Sequence, residues 1–218
     1  MNIKARAVEP APVRRRVVKS ASKDADLIRQ RRQALITAAV HVFKEKGFHE
    51  ATVRDIGRVA GMTQGTIYNY VESKEDILYL VCDQIVGEYQ EETRKALDTS
   101  SDPLTRVRST VRAVCEVMYR HQEEILLIYQ DSHLLDARSR KVILARVEEF
   151  IGMFEVILKD ASRQLDRPLK SPHLSANILT FLPTMIALRR WSLNRHVTVE
   201  EMLDGISEFL VRGLGFGA

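Results

Sequence analysis

The sequence has few cysteines, whose disulfides stabilise many small secreted domains, and it lacks segments that could span a membrane. Its 218 residues include two cysteines, Cys82 and Cys115. Neither belongs to a CxxC pair, so we interpret both as reduced, buried thiols, with a redox switch as the alternative. No stretch approaches the roughly 18 apolar residues of a membrane helix, and the basic N-terminus lacks the apolar core of a secretion signal. We therefore expect a cytoplasmic protein that does not bind membranes.

The motifs of common enzymes are also missing. We find no H-E-x-x-H, G-x-S-x-G or G-x-x-x-x-G-K-[S/T] pattern, and the glycine-rich stretch 213–217 has no following helix to bind a phosphate. The six histidines lack the spacing of metal ligands. We therefore expect no catalytic residues, no metal and no cofactor.

Positive charge is concentrated at the N-terminus. Residues 1–23 carry seven Lys and Arg side chains against one Glu, which gives this segment a net charge of +6 within a chain of net charge +4. A basic segment that contains prolines is usually a solvated arm. It could also contact DNA phosphates or enter a minor groove. We predict a disordered basic arm at 1–23 and leave its role open.

The rest of the sequence shows the apolar periodicity of helices. Apolar residues recur at three- and four-residue steps after Asp24, and Gly47 is placed to end this first helix. Pro183 lies inside an otherwise helical pattern and is expected to kink it. The fold class is therefore predicted to be all-α, with about nine helices. The later helices are predicted at about 73–97, 103–120, 122–135, 138–165, 172–194 and 198–213.

Residues 52–71 have the pattern of a helix-turn-helix. Thr52 and Thr63 each suit the N-cap of a short helix, and Gly61 permits a sharp turn between the two helices. The second helix would expose short polar and aromatic side chains that suit base edges and phosphates in the major groove. A helical adaptor that binds no DNA is the alternative. The inner side of the motif is predicted to contain Val53, Ile56, Val59, Met62 and Ile67.

Several motifs occur together between Leu35 and Leu78. They are AA-x-x-x-F before K-G-F, then T-x-x-x-I, A-G, G-T-I-Y-N-Y and S-K-E. This segment resembles the DNA-binding domain of the TetR/AcrR family of bacterial transcription regulators. The resemblance implies a three-helix DNA-binding domain, placed at 24–75, and a helical effector-binding and dimerisation domain at 76–218. Gly57 departs from the family pattern, because alanine is commoner at that position.

The resemblance also implies which residues contact double-stranded operator DNA. Gln64 and Gly65 would approach the bases, and Lys74 would grip the DNA backbone. Thr52 would contact a phosphate, and Tyr68 and Asn69 would touch a phosphate or a base. The predicted DNA-binding set is Thr52, Arg54, Thr63, Gln64, Gly65, Thr66, Tyr68, Asn69, Tyr70 and Lys74.

The same resemblance implies a homodimer that contacts its mate through the last two helices. The sequence does not divide the apolar residues of these helices between the dimer contact and the core of the domain itself. The candidates are Leu174, Ile178, Phe181, Leu182, Met185, Leu188, Met202, Leu203, Ile206, Phe209 and Leu210.

The resemblance also implies that a small-molecule effector binds among the central helices. Its binding would release a repressor from its operator. Plain core packing is the alternative for each candidate residue. Segment 124–154 resembles family members that sense acyl-CoA thioesters, and a multidrug-type regulator of hydrophobic compounds is the main rival. The candidate lining is Tyr89, Cys115, Met118, Tyr119, Tyr129, His133, Phe150, Phe154 and Trp191. The arginines available for the phosphates of a CoA ester are Arg106, Arg108, Arg112, Arg189 and Arg190.

Overall fold

The computed structural model describes residues 24–97 and 102–216, whose regular structure is helical throughout. The predicted basic arm, 1–23, lies outside the described residues. Short 3₁₀ turns, Ser132–Leu134 and Leu182–Thr184, follow α6 and α8. The prediction of an all-α fold is confirmed. In chain order the α-helices are α1 (Ala25–Glu50), α2 (Val53–Ala60), α3 (Gln64–Tyr68), α4 (Lys74–Leu97), α5 (Pro103–Arg120), α6 (Gln122–Asp131), α7 (Ala137–Gln164), α8 (Pro172–Phe181), α9 (Met185–Leu188), α10 (Arg190–His196) and α11 (Val199–Gly213).

Side-chain caps set the start of α1, and a glycine interrupts its last turn. The carboxylate of Asp24 accepts hydrogen bonds from two N–H groups of the first turn. Gly47 adopts a φ of +76°, as expected from its position in the sequence, and the chain bends there. The ring of Phe48 then packs back on that of Phe43, with 5.1 Å between their centroids. This contact fixes how the chain enters α2.

The predicted kink at Pro183 is present as a break between α8 and α9. Proline has no N–H and its ring clashes with the carbonyl one turn earlier, so a helix cannot pass through it undisturbed. The 3₁₀ turn Leu182–Thr184 takes up this break. The hydroxyl of Thr184 donates to the carbonyl of Phe181 at 2.6 Å and so gives this carbonyl a partner. The stretch predicted as one helix therefore consists of α8, α9 and α10.

Two apolar clusters form the core. The first joins the inner faces of α1 to α4 with residues of α6 and α7, and the second joins α5 and α7 with α8, α9 and α11. α4 contributes to both, since Ile77 and Leu78 lie in the first cluster and Ile85 in the second. The DNA-binding and effector-binding parts predicted from the sequence therefore share one long helix.

Candidate nucleic-acid interface and effector cavity

The start of α2 is fixed by a reciprocal cap. The hydroxyl of Thr52 accepts from the N–H of Asp55 at 3.1 Å, and the Asp55 carboxylate accepts from the N–H of Thr52 at 3.2 Å. Hydrogen bonds from Lys46 and Thr52 hold the pKa of the Asp55 carboxyl well below its usual range. Gly61 ends α2 in the left-handed region, with a φ of +66°. The predicted N-cap and turn residues are thereby confirmed.

Gly57 lets the turn and α3 pack closely on α2. The Met62 N–H donates to the Gly57 carbonyl at 2.8 Å. A Cβ at Gly57 would lie 2.6 Å from the Met62 carbonyl oxygen and 2.9 Å from Cδ1 of Ile67. Its departure from the family pattern therefore has a local steric reason. The sequence alone shows only the helix-propensity cost of this glycine, because the close contact comes from the turn and α3.

α3 presents a polar face to solvent. Ile67 is fully buried beneath it, and the Thr63 hydroxyl caps it by accepting from the N–H of Thr66 at 3.1 Å. Residues three or four positions apart then share one face of the helix. Seven residues of the predicted DNA-binding set are exposed, and the remaining three are Thr66, Tyr70 and Lys74. The exposed members are Thr52, Arg54, Thr63, Gln64, Gly65, Tyr68 and Asn69.

Two predictions about this motif are wrong. Tyr70 was expected at the DNA surface, but its side chain is 6% exposed and belongs to the first core cluster. The chain turns inward after Asn69, and Arg32 of α1 donates to the Tyr70 carbonyl at 3.1 Å. Val59 was expected inside, but it is 47% exposed, because Ala60 takes the inner position one turn after Ile56. Thr66 is half-buried, with its hydroxyl 2.8 Å from that of Thr63.

Lys74 occupies a different environment from the one predicted. Its ammonium donates to the carbonyls of Phe48, His49 and Ala51 at 2.5, 3.1 and 2.7 Å, and it lies 4.4 Å from the centroid of the Phe48 ring. An ammonium has three N–H donors, so none is left for a phosphate in this conformation. Lys74 thus joins the start of α4 to the end of α1, and we correct its predicted grip on DNA to a positioning role.

A cavity of about 490 Å³ lies between α4, α5, α6, α7 and α8. Its wall is mainly aliphatic and aromatic, as is usual for sites that bind small molecules. From α4 and α5 it includes Cys82, Ile85, Val86, Tyr89 and Met118; from α6 and the following turn, Ile125, Ile128, Tyr129, Ser132, His133 and Leu135; from α7, Arg140, Ile143, Leu144, Val147, Phe150 and Ile151; and from α8 and its break, Asn177, Thr180, Phe181 and Thr184.

Five predicted effector residues lie on this wall: Tyr89, Met118, Tyr129, His133 and Phe150. The other four predicted lining residues do not. Cys115 is buried near Ser207, Phe154 packs against Phe150 in the core, and Tyr119 is half-buried against the second core cluster. Trp191 is 64% exposed on α10. Their helical spacing was correct, but spacing does not reveal which neighbouring helix each face meets.

The lining predicted from the sequence did not include the wall residues of α8 or most of those of α4, α6 with its following turn, and α7. Thr180 and Asn177 lie one turn before the break, and the Pro183 signal pointed to this region without identifying them. Cys82 is also on the wall, and burial raises its pKa to about 12. Burial likewise raises the pKa of Cys115 to about 11. Both thiols are therefore protonated at neutral pH, in line with the predicted buried thiols.

None of the five arginines proposed for CoA phosphates lies on the cavity wall. Arg106 donates to Asp160 at 2.8 Å, Arg112 to Glu200 at 2.8 Å, and Arg190 to Glu123 at 2.6 Å. Arg108 and Arg189 are exposed. The prediction that they are available to a ligand in this cavity is therefore wrong, because ion pairs between helices or exposed positions account for them.

Residues 35–79 match the family of bacterial regulatory proteins called the tetR family. The transcriptional regulator HbdR of Aromatoleum sp. (strain CIB) is 27% identical over 86% of this chain and 82% of its own. The transcriptional repressor KstR2 of Rhodococcus jostii (strain RHA1) is 31% identical over 62% of this chain and 69% of its own. The chain belongs to the TetR family.

The TetR fold extends over most of the described chain. The solved structure of AibR in complex with isovaleryl coenzyme A and operator DNA has a TM-score of 0.70 and 22% identity, covering 83% of this chain and 98% of AibR. As a TetR-family protein, the chain is a transcriptional regulator with a helix-turn-helix, and not an enzyme. Within residues 24–97 and 102–216, no helix has both the length and the hydropathy needed to cross a bilayer.

Proposed function

We propose that this TetR-family regulator is a repressor that binds operator DNA through α3 and releases it when a small molecule occupies the cavity. The orientation of α3 carries the proposal. Ile67 faces the core, so Gln64, Gly65, Tyr68 and Asn69 face outward on one short helix. A Cβ at Gly65 would meet no atom of the protein within 4 Å, so a side chain would fit there in the free protein. Glycine at this position suits a close approach of DNA.

Fluorescence anisotropy with a labelled DNA fragment from the regulator's own promoter tests this interface. We expect Gln64→Ala and Tyr68→Ala to weaken binding by about 5- to 150-fold each, since a lost base or phosphate contact costs about 1–3 kcal/mol. Gln130→Ala, which removes an exposed glutamine from α6, is the matched control and should leave affinity unchanged. Equal affinity of all three variants and the wild type would rule out α3 as the DNA-reading helix.

The dimer contact that we propose lies on α8 and α11. Leu174, Ile178 and Phe181 are exposed at three- and four-residue steps along α8, and Phe209 of α11 is 69% exposed. Such a row of large apolar side chains is unusual on a surface that stays in water. Met202, Leu203 and Leu210, by contrast, are buried in the second cluster of the protomer itself. This difference in burial supports the assignment of Met202, Leu203 and Leu210 to the core and of the exposed row to the dimer contact that we propose.

Substitution within this row tests the dimer. We expect Ile178→Asp to convert the dimer to a monomer in sedimentation velocity experiments, because burial of a charge without a partner opposes association. Val59→Asp is the matched control, since Val59 is also exposed but lies on α2. A dimer that persists unchanged in Ile178→Asp would place the contact elsewhere.

The effector that we propose is a hydrophobic small molecule. The apolar wall supports this class, and the solved AibR complex with isovaleryl coenzyme A and operator DNA supports an acyl-CoA thioester within it. The arginines expected to bind CoA phosphates do not lie on the cavity wall. This favours the alternative, a regulator that binds hydrophobic compounds without a CoA group. Calorimetry with acyl-CoA esters of several chain lengths distinguishes these two classes of effector. If no ester gives a heat of binding and none releases the protein from DNA, the thioester is excluded.

Two elements support a coupling route from the cavity to DNA. α4 begins with Lys74 beside the DNA-binding helices and carries Tyr89 on the cavity wall. α6 also lines the cavity, and its Glu123 accepts from Lys44 of α1 at 2.7 Å and from Arg190 of α10 at 2.6 Å through the same oxygen. A ligand that displaces α6 would therefore disturb a contact to the DNA-binding domain.

Glu123→Gln removes the charge that holds Lys44 and Arg190 near each other. We expect the variant to keep its fold but to bind promoter DNA with altered affinity, because the cations of Lys44 on α1 and Arg190 on α10 then lose the negative charge between them. Glu148→Gln, an exposed position on α7, is the control. Identical DNA affinity in Glu123→Gln, Glu148→Gln and the wild type would exclude this ion pair from the coupling route.

A further inference from the structure

The cavity wall carries a single permanent charge among its described residues, that of Arg140. This arginine lies in the first turns of α7 and is exposed. Its backbone N–H donates to the Asp136 carbonyl at 2.9 Å, as the helix requires. Its guanidinium forms no ion pair with any residue in the described part of the chain. Arg106, Arg146 and Arg190 are each held by a carboxylate. Other arginines, such as Arg138, are exposed as Arg140 is, but Arg140 lies on the cavity wall and Arg138 does not.

Several polar groups on the wall are satisfied by the protein itself. The Thr180 hydroxyl donates to the Ala176 carbonyl at 2.8 Å, and the Asn177 amide donates to the His173 carbonyl at 3.0 Å. The Tyr89 hydroxyl donates to the Met118 sulfur at 3.1 Å. These groups therefore offer a ligand little unpaired hydrogen-bonding capacity. The Arg140 guanidinium, by contrast, donates to no residue in the part of the chain that the structure describes.

We infer that the effector is an amphipathic anion, whose apolar body fills the cavity while its anionic group is bound at the mouth by Arg140. This inference rests on the proposed function, because it specifies the ligand of the same cavity. A volume of about 490 Å³ accommodates a small apolar body. An arginine at the rim of such a cavity covers apolar surface with its stem and keeps its charged head at the opening.

The chemistry of the mouth selects for negative charge. A guanidinium binds a carboxylate or a phosphate through paired, charge-assisted hydrogen bonds, and a neutral alcohol cannot form them. No Asp or Glu is among the described residues of the wall, so an entering anion meets no like charge there. The neighbouring carboxylate of Asp136 already accepts from the N–H groups of Arg138 and Ser139. His133, also on the wall, adds a second nitrogen donor in the 3₁₀ turn.

The anionic group could belong to a free carboxylic acid or to a phosphate-bearing thioester. Octanoate, octanoyl-CoA and octan-1-ol share one alkyl chain and differ in this group, so they are the probes. Each is titrated by calorimetry into the purified full-length chain and into three variants. Arg140→Gln removes the charge, Arg140→Lys keeps it, and Arg138→Gln removes an exposed arginine of the same turn that is not on the wall.

We expect the wild type and Arg138→Gln to bind at least one anionic probe at least about tenfold more tightly than octan-1-ol. This preference should disappear in Arg140→Gln and largely return in Arg140→Lys. Binding of octanoate identifies the carboxylate as sufficient, whereas binding of octanoyl-CoA alone identifies the phosphate-bearing carrier. The inference is overturned if octan-1-ol binds as tightly as both anions, if Arg140→Gln keeps the preference, or if neither anion binds.

Promoter binding by the same samples separates this inference from the proposed function. If the wild type binds its promoter but shows no preference for anions, the proposed function stands and the proposed role of Arg140 is excluded. If the wild type does not bind its promoter but prefers anions through Arg140, the DNA-binding role is excluded instead.

Discussion

Replacement of Gly57 by alanine tests how tightly the DNA-binding motif is packed. On helix propensity alone, alanine in place of a helix-interior glycine should stabilise α2 by about 0.5–1 kcal/mol. The added methyl group, however, would lie 2.6 Å from the Met62 carbonyl oxygen and 2.9 Å from Cδ1 of Ile67. The side-chain atom can move, but the carbonyl belongs to the turn, so α2 and α3 must separate.

Overpacking of this kind costs about 1–3 kcal/mol. The steric cost therefore exceeds the propensity gain, and we expect Gly57→Ala to lower the free energy of unfolding by about 1 kcal/mol. For a chain of 218 residues this corresponds to a fall in Tm of about 2–4 °C. Thermal denaturation followed by circular dichroism, at one fixed protein concentration, measures it. Promoter affinity should fall as well, because α3 shifts relative to α2.

Gly152→Ala is the matched control. Gly152 also lies inside a helix, α7, but a Cβ there would meet no protein atom within 4 Å outside its own helix. We therefore expect this variant to be more stable than the wild type by about 0.5–1 kcal/mol. If Gly57→Ala raised Tm as much as Gly152→Ala does, the close packing of the turn against α2 would be refuted.

Three further predictions concern the other positions that the structure singles out. Lys74→Met should lower the free energy of unfolding by about 1.5–3 kcal/mol in urea denaturation, because three carbonyls lose their charged donor. An unchanged free energy of unfolding would show that water replaces the ammonium as donor at no cost. Gly65→Ala should not lower the Tm, because a Cβ there meets no protein atom within 4 Å, but it should weaken promoter binding; equal affinity would speak against close approach of DNA. Glu124 and Glu88 raise the pKa of His121 to about 9 from its ordinary 6.5, so the protonated ring stabilises the fold fully below about pH 6.5 and loses this contribution as pH rises through about 9. The difference in stability between the wild type and His121→Gln should therefore shrink from pH 6 to pH 10, and a constant difference would exclude the ion pair.

Local chemistry allowed much of the fold to be predicted from the sequence. Caps such as Thr52 and turn glycines such as Gly61 act through neighbours a few residues away, so their roles can be read from short segments. The match of residues 35–79 to the TetR family depends on the same short-range pattern. These predictions needed no knowledge of which helices meet in space.

The candidate sites were harder to predict because they depend on contacts between distant segments. Lys74 has the spacing of a DNA contact, but the end of α1, more than 20 residues earlier, supplies carbonyls that occupy its ammonium. Trp191 has the aromatic character of a pocket residue, but α10 turns it to solvent after the break at Pro183. The sequence suggested that Arg190 was available to a ligand, but in the fold Glu123 of α6 accepts a hydrogen bond from the Arg190 guanidinium.

Affinity for promoter DNA as a function of salt is the most direct test of the claim that α3 is a DNA-reading helix. If the outer face of α3 and the Thr52 end of α2 contact phosphates, the logarithm of the association constant should fall linearly with the logarithm of salt concentration. A dimer with about 6–10 phosphate contacts should lose roughly 10³–10⁵ in affinity between 50 and 200 mM salt. Absence of binding at the lowest salt, or affinity that does not change across this range, would contradict the account.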